Sequence, residues 1–140
     1  MPPPLVINMR YCLDTNIVSE ILRNNPAVNQ RLQAELDRNS DIYICSIVYY
    51  ELSRGLKAAG ASNRIREFQQ LYPILAKLPL DMAAIEIAVN IYVDLHKGKQ
   101  IEDNDIYIAA ISMANDCILV TANEKHFSRI KGLTYENWLI

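Results

Sequence analysis

The chain contains little that would staple it, thread it through a membrane or leave it unfolded. Its three cysteines, Cys12, Cys45 and Cys117, each lie in or beside an apolar run without CxxC or CxxH spacing. That pattern counts against a disulfide framework or a zinc site and reads as small buried residues in a reducing compartment. Four glycines and six prolines in 140 residues leave no linker, repeat or low-complexity tract. No apolar run reaches the roughly 18 residues that span a bilayer. The opening Met-Pro-Pro-Pro-Leu-Val-Ile-Asn lacks the basic start and long apolar middle of a signal peptide, so a cytoplasmic location is expected. Met9 directly precedes the first convincing strand. Residues 1–8 are therefore expected to be a disordered N-terminal extension, and 9–140 one domain.

Charge of one sign is also missing. The formal net charge is −2, without the basic surplus usual in nucleic-acid binders. Setting aside Asp14, Glu51 and Asp105 leaves 14 basic residues against 13 acidic ones, near +1, so acids gathered in one site would hide a surface that tolerates polyanions.

What is present alternates between two periods. Arg10 to Leu13 reads as a buried strand broken by Asp14-Thr-Asn16, which suits the cap of a helix through Ile17, Ile21 and Leu22. Ala27 to Leu36 is a second helix and Ile42 to Cys45 a second strand, with Ser46 placed to cap a third helix striped by Val48, Leu52, Leu56 and Ala59. Ser62 to Leu75 reads as helix and Lys77 to Leu80 as strand. Met82 to His96 is a helix with its stripe at Ile85, Ala88, Val89, Tyr92 and Leu95. Lys99 to Asn104 is a loop, Ile106 to Ala114 a helix, Cys117 to Val120 a strand, and Leu133 to Trp138 a last edge strand. Strands alternating with helices predict an α/β fold: a central, mainly parallel sheet of four to five short strands between two helical layers.

Three acids stand out. Asp14 ends the first strand, at the edge where α/β proteins keep their chemistry. Glu51 lies about 80° from the middle of its helix's apolar stripe, at the margin of the core. Asp105 heads a segment that is apolar nearly all round, a helix of the kind that is buried. The plain alternatives are capping for Asp14 and Asp105 and a solvated edge for Glu51. If the three converge they repel, and one protonates unless a cation holds them. Oxygen ligands without Cys or His select Mg²⁺ or Mn²⁺.

Met-Arg-Tyr-Cys-Leu-Asp-Thr-Asn-Ile at 9–17, Ser-Ile-Val-Tyr-Tyr-Glu-Leu-Ser-Arg-Gly-Leu at 46–56, Gly-Lys-Gln-Ile-Glu-Asp-Asn-Asp-Ile-Tyr-Ile-Ala-Ala at 98–110 and Ile-Leu-Val-Thr-Ala-Asn-Glu-Lys-His-Phe at 118–127 follow one another at these separations. Together they resemble the four motifs of the PIN domain, most closely the VapC-type toxins of bacterial toxin–antitoxin pairs. That resemblance covers essentially all of Met9 to Leu139. It implies a three-layer α/β/α PIN-like fold and a Mg²⁺-dependent endoribonuclease, with Mn²⁺ able to substitute, whose catalytic, metal-binding acids are Asp14, Glu51 and Asp105. It also implies a toxin that inhibits translation and growth, a homodimer, and an antitoxin protein lying across the active-site groove. The fourth motif departs from the strictest pattern: Asn123 stands where many members carry a fourth acid, a weaker metal ligand.

Around these acids, Asn16, Thr121 and Asp103 are supporting candidates, each with an ordinary turn or helix-start role as its alternative. Arg54, Lys99, Lys125 and Arg129, with Lys57, Lys97, His126 and Lys131, are candidates for contact with RNA phosphates, with an ordinary solvated charged face as their alternative. Trp138 is expected in the core. Among rival enzymes, a receiver needs an acid pair after its first strand and a haloacid-type phosphatase needs a second Asp where Asn16 stands. A non-catalytic PIN-like RNA- or protein-binding module is the alternative that Asn123 leaves open.

Overall fold

Three consecutive buried side chains, Tyr11, Cys12 and Leu13, make β1 (Arg10–Leu13) the central strand of a five-stranded sheet ordered β3-β2-β1-β4-β5. In the computed structural model, which describes residues 8–140, β2 (Asp41–Cys45) and β4 (Ile118–Val120) flank β1, while β3 (Ala76–Leu78) and β5 (Tyr135–Glu136) form the edges. Every pairing is parallel. A parallel sheet has to be covered on both faces, and the crossovers supply the helices. They are α1 (Thr15–Leu22), α2 (Pro26–Asp37), α3 (Ser46–Ala58), α4 (Ser62–Leu71), α5 (Met82–Leu95), α6 (Asp103–Ala114) and α7 (Glu124–Phe127). The result is the expected three-layer α/β/α architecture. The disorder expected of residues 1–8 concerns positions that, Asn8 apart, lie outside the described residues.

From β1 the chain winds to β2 and β3, then crosses back to β4 and β5. The crevice between β1 and β4 is thus the point where winding reverses, and α/β sheets bind ligands beyond the carboxyl ends of such strands. Asp14 N donates to Val120 O at 2.9 Å, so the residue after β1 and the end of β4 are held together. Beneath them α6 is buried at Ile106, Ile108, Ala109, Ala110 and Ile111, as its apolar surround requires. Each large side chain buried there contributes about 1.5–3 kcal/mol.

An ionic cluster pins α2 to the edge strand β5. Glu35, 2% exposed, pairs with Arg38 at 2.9 Å and Arg31 at 4.0 Å. Arg31 reaches Glu136 at 3.0 Å and lies 5.4 Å over the ring of Trp138, which meets Tyr11 edge-on at 5.4 Å. Trp138 is accordingly a core residue, as its sequence context suggested.

Several boundaries differ from the sequence reading. The helix at 62–75 ends at Leu71 and continues only as a 3₁₀ turn, Tyr72–Ile74, because Pro73 lacks the N–H an α-helix needs. The third strand is Ala76–Leu78, stopped by Pro79. Strand four begins at Ile118 and the last strand keeps only Tyr135–Glu136. Ser46 does not cap α3: it is the first helical residue, and its hydroxyl accepts from Leu80 N at 3.1 Å, tying down the segment before α5. On α5 the buried stripe is Ala84, Ala88, Ile91 and Leu95. Val89 and Tyr92, assigned to the core from periodicity, are exposed along with Met82 and Val93. A helix this apolar fits two adjacent stripes, and small alanines let the other one pack close on α6.

Candidate active site

Asp14 is both cap and site. Its Oδ1 accepts from Thr15 N at 2.8 Å at the start of α1, the capping role Asp favours. Its Oδ2 accepts from the Thr121 hydroxyl at 2.7 Å and from Asn16 Nδ2 at 3.3 Å. Asn16 Oδ1 in turn accepts from Ala122 N at 3.1 Å, so the residues flanking the crevice clamp one another. Thr121, fully buried, is thus a carboxylate partner and more than a turn residue.

Asp14 is only 4% exposed, and all its hydrogen bonds come from neutral donors. Among the described residues no Lys, Arg or His stands within ion-pair reach of it. Burial pushes its carboxyl up to about 6; the bonds from Thr121 and Thr15 pull the other way, and the charges of Asp105 and Glu51 add to the rise. The three acids named from the sequence therefore share one electrostatic neighbourhood, although one stands between β1 and α1, one on α3 and one on α6.

Glu51 is half-buried on α3 and well supplied. Its Oε1 accepts from the Thr15 hydroxyl at 2.7 Å and its Oε2 from Asn104 Nδ2 at 3.3 Å. Neither donor announced itself in the sequence, because a Thr at a helix start and an Asn in a polar stretch have ordinary local roles. Asp105 is not an N-cap. Helix α6 begins two residues earlier, with Glu102 at the cap position making no side-chain bond, so Asp105 lies in the first turn with its side chain free to face the crevice. Its Oδ2 meets His126 Nδ1 at 3.0 Å. Asp103, the first residue of α6, is exposed and joins none of these contacts.

Beyond β4, Asn123 N donates to Thr121 Oγ1 at 3.0 Å, and Asn123 Nδ2 lies 2.8 Å from His126 Nδ1. The short helix α7, absent from the sequence reading, aims His126 at Asp105. Its anchor is Phe127, fully buried. The cationic candidates scatter. Lys125 and Lys99 are exposed, the Arg129 guanidinium donates to the Lys99 carbonyl, Lys131 pairs with Asp94 at 3.6 Å, and Arg54 stacks on Tyr50 at 4.9 Å.

Hard oxygen donors around a buried, uncompensated carboxylate fit a small divalent cation. Among the described residues no three His, Cys, Asp or Glu side chains form a ready-made metal cluster. Glu51 and Asp105 are instead occupied by Thr15, Asn104 and His126, the arrangement expected where bare carboxylates repel.

A sequence profile of the PIN domain matches residues 11–133. The chain is similar to ribonuclease VapC2 of Rickettsia felis, 33% identical over 141 residues that take in 93% of this chain and 98% of that relative. It is also similar to ribonuclease VapC2 of Haemophilus influenzae, 32% identical over 137 residues, 94% of this chain and 99% of the relative. A solved structure of VapBC2 from Rickettsia felis, bound to a DNA fragment from their promoter, superimposes with a TM-score of 0.86 at 29% identity, covering 93% of this chain and 99% of that one.

Proposed function

Because the chain belongs to the PIN domain family, we propose that it is a divalent-metal-dependent endoribonuclease, the toxin of a toxin–antitoxin pair that arrests growth by cutting RNA. The observation that carries the reading is Asp14 at the sheet's switch point: a carboxylate with no cationic partner among the described residues, raised to about 6 by its burial, with the charges of Asp105 and Glu51 adding to the rise. Asp14, Asp105 and Glu51 would hold Mg²⁺ or Mn²⁺, with Asn123 a neutral donor beside them. Such an ion supplies positive charge at a scissile phosphate and makes a water molecule more acidic.

The chain's own residues organise the rest. Thr121 and Asn16 fix Asp14, and Thr15 and Asn104 fix Glu51, so the oxygens that meet the cation are oriented beforehand. Lys125, Lys99, Arg129 and Arg54 are assigned to the RNA backbone, which they would hold without reading its sequence. The relatives' names, ribonuclease and VapC, support the reaction and the pairing with an antitoxin. A groove between α3 and α4, lined by Tyr49, Leu56, Phe68 and Tyr72, offers apolar surface for that antitoxin beside the Glu51 helix. The exposed Met82, Val89, Tyr92 and Val93 of α5 support a homodimer. Among the described residues no helix is long and apolar enough to cross a membrane.

Inducible expression of the wild type and of Asp105→Asn in a bacterial host, with end-mapping of total RNA, tests the reading. Growth arrest with discrete new RNA ends for the wild type alone is expected. Arrest by Asp105→Asn at equal soluble level would overturn it. Failure of the purified wild type to bind Mn²⁺ would leave a non-catalytic RNA- or protein-binding module.

A further inference from the structure

His126 stands apart from the other cationic candidates because it touches an acid of the site. Its Nδ1 is 3.0 Å from Asp105 Oδ2 and 2.8 Å from the Asn123 side-chain amide. One ring nitrogen cannot donate to Asp105 and accept from Asn123 at once. The carboxylate has only lone pairs to offer, so the proton lies on Nδ1, and the Asn123 amide, whose oxygen and nitrogen are assigned by their partners, turns its oxygen toward it. Both the Nδ1–H tautomer and the doubly protonated ring satisfy this. Among the described residues Asp105 Oδ1 takes no hydrogen bond.

We propose that His126 is a positioning residue for Asp105: its Nδ1–H clamps one carboxylate oxygen and leaves the other for the cation. The clamp is built into the fold. Thr121 Oγ1 donates to Asp14 and accepts from Asn123 N, the Asn123 side chain meets His126, and His126 meets Asp105. Three residues thus link two acids, one on α6 and one just after β1, that the chain supplies independently. Buried Phe127 holds the turn that makes the link, while the His126 side chain itself is 44% exposed, so replacing it removes little packing.

This inference rests on the metal-dependent reading above, and its test separates the two. Mn²⁺ affinity is measured by the electron paramagnetic resonance of free ion for wild type, His126→Asn, His126→Gln and His126→Leu, with melting curves to confirm folding. Asn places an amide N–H where Nδ1 sits, whereas Gln reaches the Nε2 position and Leu has no donor. Loss of an outer partner of a metal ligand costs about 10- to 100-fold in affinity. His126→Leu and His126→Gln should therefore bind Mn²⁺ at least about ten-fold more weakly than wild type, and His126→Asn should recover most of the loss. Wild-type affinity in His126→Leu, or an Asn variant as weak as Leu, overturns the positioning role while leaving the nuclease reading intact. No Mn²⁺ binding by the wild type overturns that reading, and this inference with it.

Discussion

Replacing Asp14 with Asn should make the metal-free protein more stable at neutral pH, although it removes a residue central to the site. The carboxyl sits at about 6 in the fold against an ordinary 3.8. Between those values the native state holds a proton that the unfolded chain has released. The unfolded state thus binds fewer protons, and stability falls as pH rises from about 4 to 6 and stays low above. At about 1.4 kcal/mol per tenfold, the gap is worth on the order of 3 kcal/mol. Asn keeps the cap on Thr15 N but sets an NH₂ against Asn16 Nδ2, returning about 1 kcal/mol. The net gain expected above pH 7 is about 2 kcal/mol, roughly 6–8 °C in Tm for a chain of this size. At pH 4 the gain vanishes or reverses. Saturating Mg²⁺ reverses the order at pH 7.5, because ligand at a hundred times Kd adds about 2.7 kcal/mol to the wild type alone. Urea unfolding with chelator at pH 4, 5.5 and 7.5, then with Mg²⁺, reads all of this. A wild type whose stability is flat across that range, together with a variant no more stable at pH 7.5, would refute the reasoning.

Thr121→Val, nearly isosteric, removes the strongest hydrogen bond to Asp14 and the acceptor for Asn123 N; it should cost about 1.5–3 kcal/mol and move the Asp14 titration above 6 in carbon-detected NMR, and an unmoved titration contradicts the assignment. Arg31→Met leaves Glu35 buried with Arg38 alone and should destabilise by about 2–4 kcal/mol, whereas adding Glu35→Leu should restore most of the loss; equal stability of the single and double variants argues against it. Phe127→Ala should cost about 3–5 kcal/mol and speed amide exchange at Asn123, since α7 has little else to hold it.

How far the sequence reaches depends on whether the cause is local. Asp14 is legible because a strand of buried residues ends there, and α6 because it is apolar on every side. Glu51 is legible as a charge at the margin of a stripe. The partners are not: His126 and Asp105 are 21 residues apart, and nothing local distinguishes a histidine facing a carboxylate from one facing solvent. Thr15 and Asn104 act on a Glu51 brought by another element, whereas Asn16 and Thr121 are legible as candidates from their places beside Asp14 and at the end of β4. The α5 face misleads for the opposite reason, since too many apolar residues satisfy the same period and only contact with α6 selects among them.

Strand β1 is made first and completed last. Its register on one side waits for Asp41–Cys45 and on the other for Ile118–Val120, and the hydroxyl that orients Asp14 belongs to Thr121. The acids at 14, 51 and 105 are therefore all synthesised before the strand that gathers them exists. A chain made only as far as Asp105 thus holds all three acids but lacks both the Thr121 hydroxyl and the β4 pairing that set Asp14 in place.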